Sequence, residues 1–115
     1  MVSSREWRLR IEDILEAMGR IERYTSRLTL EAFASDTLVM DAVVRNFAVI
    51  GEAARNVPSE VEDRYPQVPW SKMRGMRNVV VHVYFNVDIG IVWETARHDL
   101  PPLRSALRAI LAEEV

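Results

Sequence analysis

Within Gly75-Met76-Arg77-Asn78-Val79-Val80-Val81-His82-Val83-Tyr84, four polar side chains interrupt an otherwise apolar run. Their types have chemistry to offer. A guanidinium such as that of Arg77 can grip a phosphate through paired hydrogen bonds. An imidazole such as that of His82 can take and give a proton near neutral pH, and Tyr84 presents a hydroxyl. The same residue types also fit a structural arrangement. Burying an arginine or a histidine without a partner is costly, so Arg77 could pair with a carboxylate, with Glu52 as the candidate, and His82 could rest on a backbone carbonyl.

Helical geometry limits how the four combine. At ~100° per residue, Asn78 and His82 share one face, Arg77 and Tyr84 share another, and Arg77 lies ~140° around the axis from His82. The two can converge if the length of arginine spans the gap, if the helix is irregular, or if a second copy faces the first across a dimer. Charge adds a second clue. From Tyr65 to Val87 there is no acidic residue, while Lys72, Arg74 and Arg77 all fall there, and Glu60, Glu62, Asp63 and Asp88 flank the stretch. A locally basic strip suits a phosphate-bearing ligand and equally a solvated face. On the first reading Lys72, Arg74 and Asn78 would bind or orient phosphate. The net charge of −2 by itself argues against a nucleic-acid binder.

Several chemistries drop out. Without cysteine there is no disulfide, thiolate nucleophile or cysteine metal site. His82 and His98 are the two histidines, and no His-Glu-x-x-His spacing occurs, so neither metal nor cofactor is expected. A length of 115 residues suits one domain, residues 1–115, with one hydrophobic core. No apolar run approaches the ~20 residues of a membrane span. The opening Met-Val-Ser-Ser-Arg-Glu-Trp lacks the apolar stretch of a secretory signal, and a cytoplasmic location is expected.

The elements that must position these residues read as helices. Trp7, Ile11, Ile14, Leu15, Met18, Ile21 and Leu28 recur at three and four, the mark of an amphipathic helix. A second helix starts near Ser35 or Asp36, either a possible cap, and runs to about Asn56. Its two apolar stripes (Val39, Val43, Phe47, Ile50, Ala54 and Met40, Val44, Ala48, Gly51) predict burial on two sides, with a partner subunit as one source of the second contact. Ser59 and Glu62 have capping-box spacing for a short helix before Pro66. Pro66 to Pro69 form an extended connector. The valine-rich stretch after Asn78 favours strand by propensity, but no second strand-like run exists to pair with it. Residues 70–84 are therefore read as helix. Asn86 or Asp88 would cap the next helix, on Ile89, Val92, Trp93 and Ala96, which Pro101-Pro102 would break or kink before Leu103, Leu107, Ile110 and Leu111 continue. The expected fold is all-α, a four- to five-helix antiparallel bundle.

Arginine, four residues, histidine, one residue and tyrosine, here Arg77, His82 and Tyr84, resembles the signature of HepT, the toxin of HEPN–MNT toxin–antitoxin modules. The resemblance extends through Arg45-Asn46-Phe47-Ala48-Val49-Ile50-Gly51-Glu52-Ala53, Tyr65-Pro66-Gln67-Val68-Pro69-Trp70, Gly75-Met76-Arg77-Asn78, His82-Val83-Tyr84-Phe85-Asn86-Val87-Asp88 and Val92-Trp93. A lone Arg-x4-His is weak; the ordered set across nearly the whole chain is specific. It implies the HEPN fold, a homodimer, and a metal-independent endoribonuclease with its cleft at the dimer interface. Carried over, Arg77 and His82 are the catalytic pair. His82 would take the proton of a ribose 2′-hydroxyl or protonate the leaving 5′-oxygen. Arg77 would stabilise charge on the phosphoryl oxygens, and cleavage would leave a 2′,3′-cyclic phosphate. Asn78 would orient the imidazole or bind phosphate.

The resemblance further implies a type VII-like system in which a minimal nucleotidyltransferase, MNT, attaches AMP to Tyr84. An anionic adduct there would block the cleft and cover its positive charge. Glu52 would shape the cleft or pair with Arg77. His98 lies outside the matched motifs and reads as a surface residue, and Trp7, Trp70 and Trp93 read as core. Two other functions fit: a non-cleaving HEPN domain that binds nucleotide or RNA, and a helical adaptor of an MNT nucleotidyltransferase.

Overall fold

Ile11, Ile14, Met18 and Ile21 are fully buried along one side of the opening helix α1 (Ser4–Thr25), as their spacing demands. The computed structural model describes residues 4–78 and 89–113, and every regular element among them is helical. None of the helices there is long and apolar enough to cross a membrane.

A short helix absent from the sequence reading follows as α2 (Leu30–Ser35). The Thr29 side chain accepts from the Ala32 N–H at 3.1 Å, and Phe33 is its one buried residue. Six residues are too few to display a period. The capping signal at Thr29 was nonetheless present.

Helix α3 (Thr37–Arg55) is the axis of the molecule. Asp36, one of the two predicted caps, accepts from the Val39 N–H at 3.0 Å. Both apolar stripes are engaged: Met40, Val43, Val44, Phe47, Ile50, Gly51 and Ala54 are buried. One side packs along α1 and the other against the segment that carries Arg77. At Gly51 the second contact is therefore made by the chain itself.

Helix α4 (Ser59–Arg64) ends ahead of Pro66, as predicted, but its capping box does not form. Pro58 occupies the cap position, there is no side-chain cap bond, and Glu62 turns to Arg74 instead. Ser59 is one position too far inside to cap, because Pro58, which lacks an N–H and holds φ at −63°, already supplies the entry geometry.

The connector is pinned by Tyr65, Val68 and Trp70, all buried, and by the Trp70 indole donating to the Tyr65 carbonyl at 3.0 Å. Helix α5 (Trp70–Gly75) then runs into a 3-10 turn, Met76–Asn78. The predicted helix over 70–84 is thus observed as far as Asn78 and is irregular from Met76; its remainder lies outside the described residues, as do the candidate caps Asn86 and Asp88.

Helix α6 (Ile89–Glu94) passes through a π turn, Thr95–Asp99, into α7 (Leu100–Glu113). The proline pair neither breaks nor ends the helical path. Pro101 and Pro102 sit in the first turn of α7, where missing N–H groups are tolerated. The preceding turn widens, with the Leu100 N–H donating to Thr95. A wider turn separates the proline rings from the carbonyls they would strike in a regular helix.

Candidate active site

Arg77 owes its position to the absence of a side chain at Gly51. A Cβ on Gly51 would lie 2.7 Å from the Arg77 nitrogen, 2.9 Å from the Arg77 Cβ and 3.0 Å from the Arg74 oxygen. Backbone and backbone therefore meet where α3 crosses the 3-10 turn, and only glycine admits that approach. Met73 and Met76 anchor the segment from below, the first fully buried and the second nearly so. Sequence reasoning placed Gly51 on the second apolar stripe of this helix, with a partner subunit as one source of its contact. It missed that the contact is the backbone of the candidate catalytic arginine.

From this seat the Arg77 side chain points outward. Its guanidinium reaches Glu52, the next residue on α3, at 3.4 Å, and the two side chains are 56% and 60% exposed. The expected partner of Arg77 is thus the observed one, but the reason differs. No buried charge is being neutralised, since both groups remain in water, where such a pair is weak. The contact biases the direction of a solvated guanidinium and leaves most of its donors free for another anion.

Arg74, one turn earlier, is held differently. It meets Glu62 of α4 at 2.6 Å, with side-chain exposures of 37% and 21%. That pair ties α5 to α4 and fixes the base of the turn. Lys72 and Asn78 are both exposed. Lys72 lies with Gly75 and Met76 on a cleft of about 510 Å³ whose other wall is Thr95, His98 and Asp99. The 3-10 turn makes the segment irregular from Met76 to Asn78, advancing ~120° per residue where an α-helix advances ~100°. Irregularity was one of the three routes to convergence, and it falls at Arg77 itself.

His82 and Tyr84 lie outside the described residues, so the expected meeting of Arg77 with His82, and the setting of Tyr84, have no geometry here. His98 is an exposed residue 3.6 Å from Glu94. The tryptophans behave as core side chains: Trp7 and Trp70 are buried, and Trp93 packs on Phe33 with ring centroids 5.3 Å apart.

Helical elements throughout the described residues, with an exposed arginine that opens the Arg-x4-His-x-Tyr run, fit a helical ribonuclease. The profile of the ribonuclease HepT-like family matches residues 14–110, and the chain belongs to this family. It is 38% identical over 94 residues to "Probable ribonuclease HepT" of Thermococcus cleftensis, covering 82% of this chain and 86% of that one. It is 37% identical over 101 residues to "Putative RNase MJ1216" of Methanocaldococcus jannaschii, with 88% and 84% covered. A third relative, "Putative RNase TTE0752" of Caldanaerobacter subterraneus, is 34% identical over 104 residues, 90% of this chain and 93% of that protein. No solved structure matches the chain. The expected activity, RNA cleavage, is that of the family, and RNA is the substrate class that follows from it.

Proposed function

We propose that the protein is a metal-independent endoribonuclease in which Arg77 and His82 act on one phosphodiester, in a cleft completed by a second copy of the chain. The observation that carries this reading is the seat of Arg77. Gly51 gives up its side chain so that the arginine backbone can lie against α3, and the guanidinium emerges exposed and loosely held. A cation needed only for stability would be expected in a tighter and drier pair, like that of Arg74.

In the proposed reaction His82 takes the proton of the ribose 2′-hydroxyl as that oxygen attacks the neighbouring phosphorus. The bond from phosphorus to the 5′-oxygen breaks, and the leaving oxygen takes a proton from a protonated imidazole or from water. The products are a 2′,3′-cyclic phosphate and a free 5′-hydroxyl. Arg77 stabilises the charge on the non-bridging oxygens through the transition state, with Asn78, at the end of the 3-10 turn, supporting phosphate or imidazole. Glu52 keeps the guanidinium directed outward when no phosphate is present.

We further infer that the protein acts in the cytoplasm as the toxin of a HEPN–MNT pair, silenced when a cognate nucleotidyltransferase transfers AMP to the hydroxyl of Tyr84. The match to the HepT-like family spans Arg77, His82 and Tyr84 together, which supports reading them as one site.

The test is RNA cleavage in the presence of a chelator by wild type, Arg77→Ala and His82→Ala. Cleavage by wild type alone, leaving cyclic phosphate ends, supports the proposal; cleavage abolished by the chelator, or retained by both variants, refutes it. Incubation with ATP and the cognate nucleotidyltransferase should add adenylyl groups to wild type and none to Tyr84→Phe. Sedimentation of wild type at assay concentration should give a dimer.

A further inference from the structure

The cleft that Lys72 lines opens beside the 3-10 turn. It holds about 510 Å³ between α5 and the π turn, and its wall combines three kinds of group. Met76, Leu103, Pro69 and Pro102 supply apolar surface, Lys72 supplies one cation, and Thr95, His98 and Asp99 supply hydrogen-bonding groups. The last three belong to the π turn, and all of them line the recess. Gly75 lines the recess as well, and a Cβ there would meet nothing within 4 Å, so this glycine leaves open space where Gly51 closes it.

These groups match the parts of one nucleotide. An unpaired base offers flat apolar faces and polar edges, and proteins that read single-stranded RNA cover the faces and hydrogen-bond the edges. Lys72 is exposed and suits one phosphate oxygen. Asp99 accepts hydrogen bonds and repels a second phosphate, which selects a nucleotide with a single charge over a polyphosphate. The Thr95 hydroxyl donates to the Ile91 carbonyl at 2.9 Å, which leaves its oxygen free to accept. Met76 belongs to the recess, and the next residue is Arg77. The recess and the backbone of Arg77 are thus neighbours along the chain, which puts the recess in the vicinity of the proposed cleavage site.

We propose that this recess is an accessory subsite for an unpaired nucleotide flanking the cleaved phosphodiester, with Lys72 on its phosphate and His98 on its base or ribose. The proposal rests on the ribonuclease reading, and it extends the binding surface to the imidazole outside the HepT motif. It assigns to the π turn the job of holding Thr95, His98 and Asp99 opposite Lys72.

The experiment uses the full chain and a ten-nucleotide 2′-O-methyl RNA, which lacks the attacking hydroxyl and cannot be cut. With two histidines in the sequence, the His98 ring resonances are assigned by comparison with His82→Ala. Titration of the RNA should move the His98 signals, and Lys72→Ala and His98→Ala should each weaken binding at least threefold. The Lys72 variant should lower the salt dependence by about one counterion. Arg108→Ala, which removes an exposed cation on α7, controls for loss of charge alone and should bind like wild type. Unmoved His98 signals, or wild-type affinity in both variants, overturn the subsite even if wild type cleaves ordinary RNA. If ordinary RNA is left intact while the His98 signals move and both variants bind weakly, the ribonuclease reading fails and the nucleotide site stands.

Discussion

Arg74 and Arg77 sit three residues apart on one short segment, and the fold treats them in opposite ways. Arg74 is drawn to Glu62 at 2.6 Å and partly covered, so that two short helices are tied together. Arg77 is pressed against α3 by its backbone, while its guanidinium stays in water with a distant carboxylate at 3.4 Å. A close, partly covered ion pair between two helices contributes to cohesion, whereas a guanidinium whose backbone is fixed while its head stays exposed remains available to an external anion. Equal formal charges at neighbouring positions thus carry different duties, and the distinction comes from where the close packing falls.

Mutagenesis can break that distinction or sharpen it. The largest effect is expected at Arg77→Ala, where cleavage should fall by about 100- to 1,000-fold, the usual cost of removing a transition-state donor. Stability should change by less than about 0.5 kcal/mol, since the Glu52 pair is exposed. Urea unfolding alongside single-turnover cleavage checks both halves; a large loss of stability would make Arg77 another Arg74.

Gly51→Ala comes next. The added methyl cannot coexist with the Arg77 nitrogen at 2.7 Å, so the turn must shift. A cost of about 1–3 kcal/mol is expected for such overpacking, with at least a tenfold loss of cleavage through displacement of the guanidinium. Gly75→Ala is the matched control, since space is open there. Equal thermal midpoints for the two variants would remove Gly51 from its positioning role.

Arg74→Ala should show the reverse of the Arg77 profile. A loss of about 0.5–1 kcal/mol is expected, after discounting for partial exposure of the pair, and cleavage should stay within about threefold by the same estimate of a weak, screened pair. The smallest effect is assigned to Glu52→Gln. Removing a negative charge beside the phosphate site should tighten binding of an uncleavable RNA by about twofold at low salt, an advantage that fades as salt rises. Weaker binding in that variant would mean that Glu52 is needed to hold Arg77 in place.

Much of the architecture could be read directly because period and caps are local signals. The buried stripe from Trp7 to Ile21, the start of α3 at Asp36 and the core roles of Trp7 and Trp70 all follow from spacing and side-chain chemistry. The misreadings have physical causes. Helix α2 is too short to show a period. The capping box at Ser59 was overridden by Pro58, and of the break or kink expected at Pro101-Pro102 the break does not occur, the helical path being carried through by a widened turn one helical step earlier. In the last two cases a neighbouring backbone constraint outweighed the local preference; in the first the local signal was too short to read.

The amino-acid order alone determined the helical class, the basic strip and the ordered motif that places the chain among HepT-like ribonucleases, because residue type and spacing are properties of the chain itself. Tertiary structure decided which arginine is spent on cohesion and which is offered to solvent. That choice depends on Gly51 and Arg77, 26 positions apart in sequence, packing so closely that a Cβ on the glycine would lie 2.7 Å from the arginine nitrogen, and no local pattern encodes the approach of two backbones.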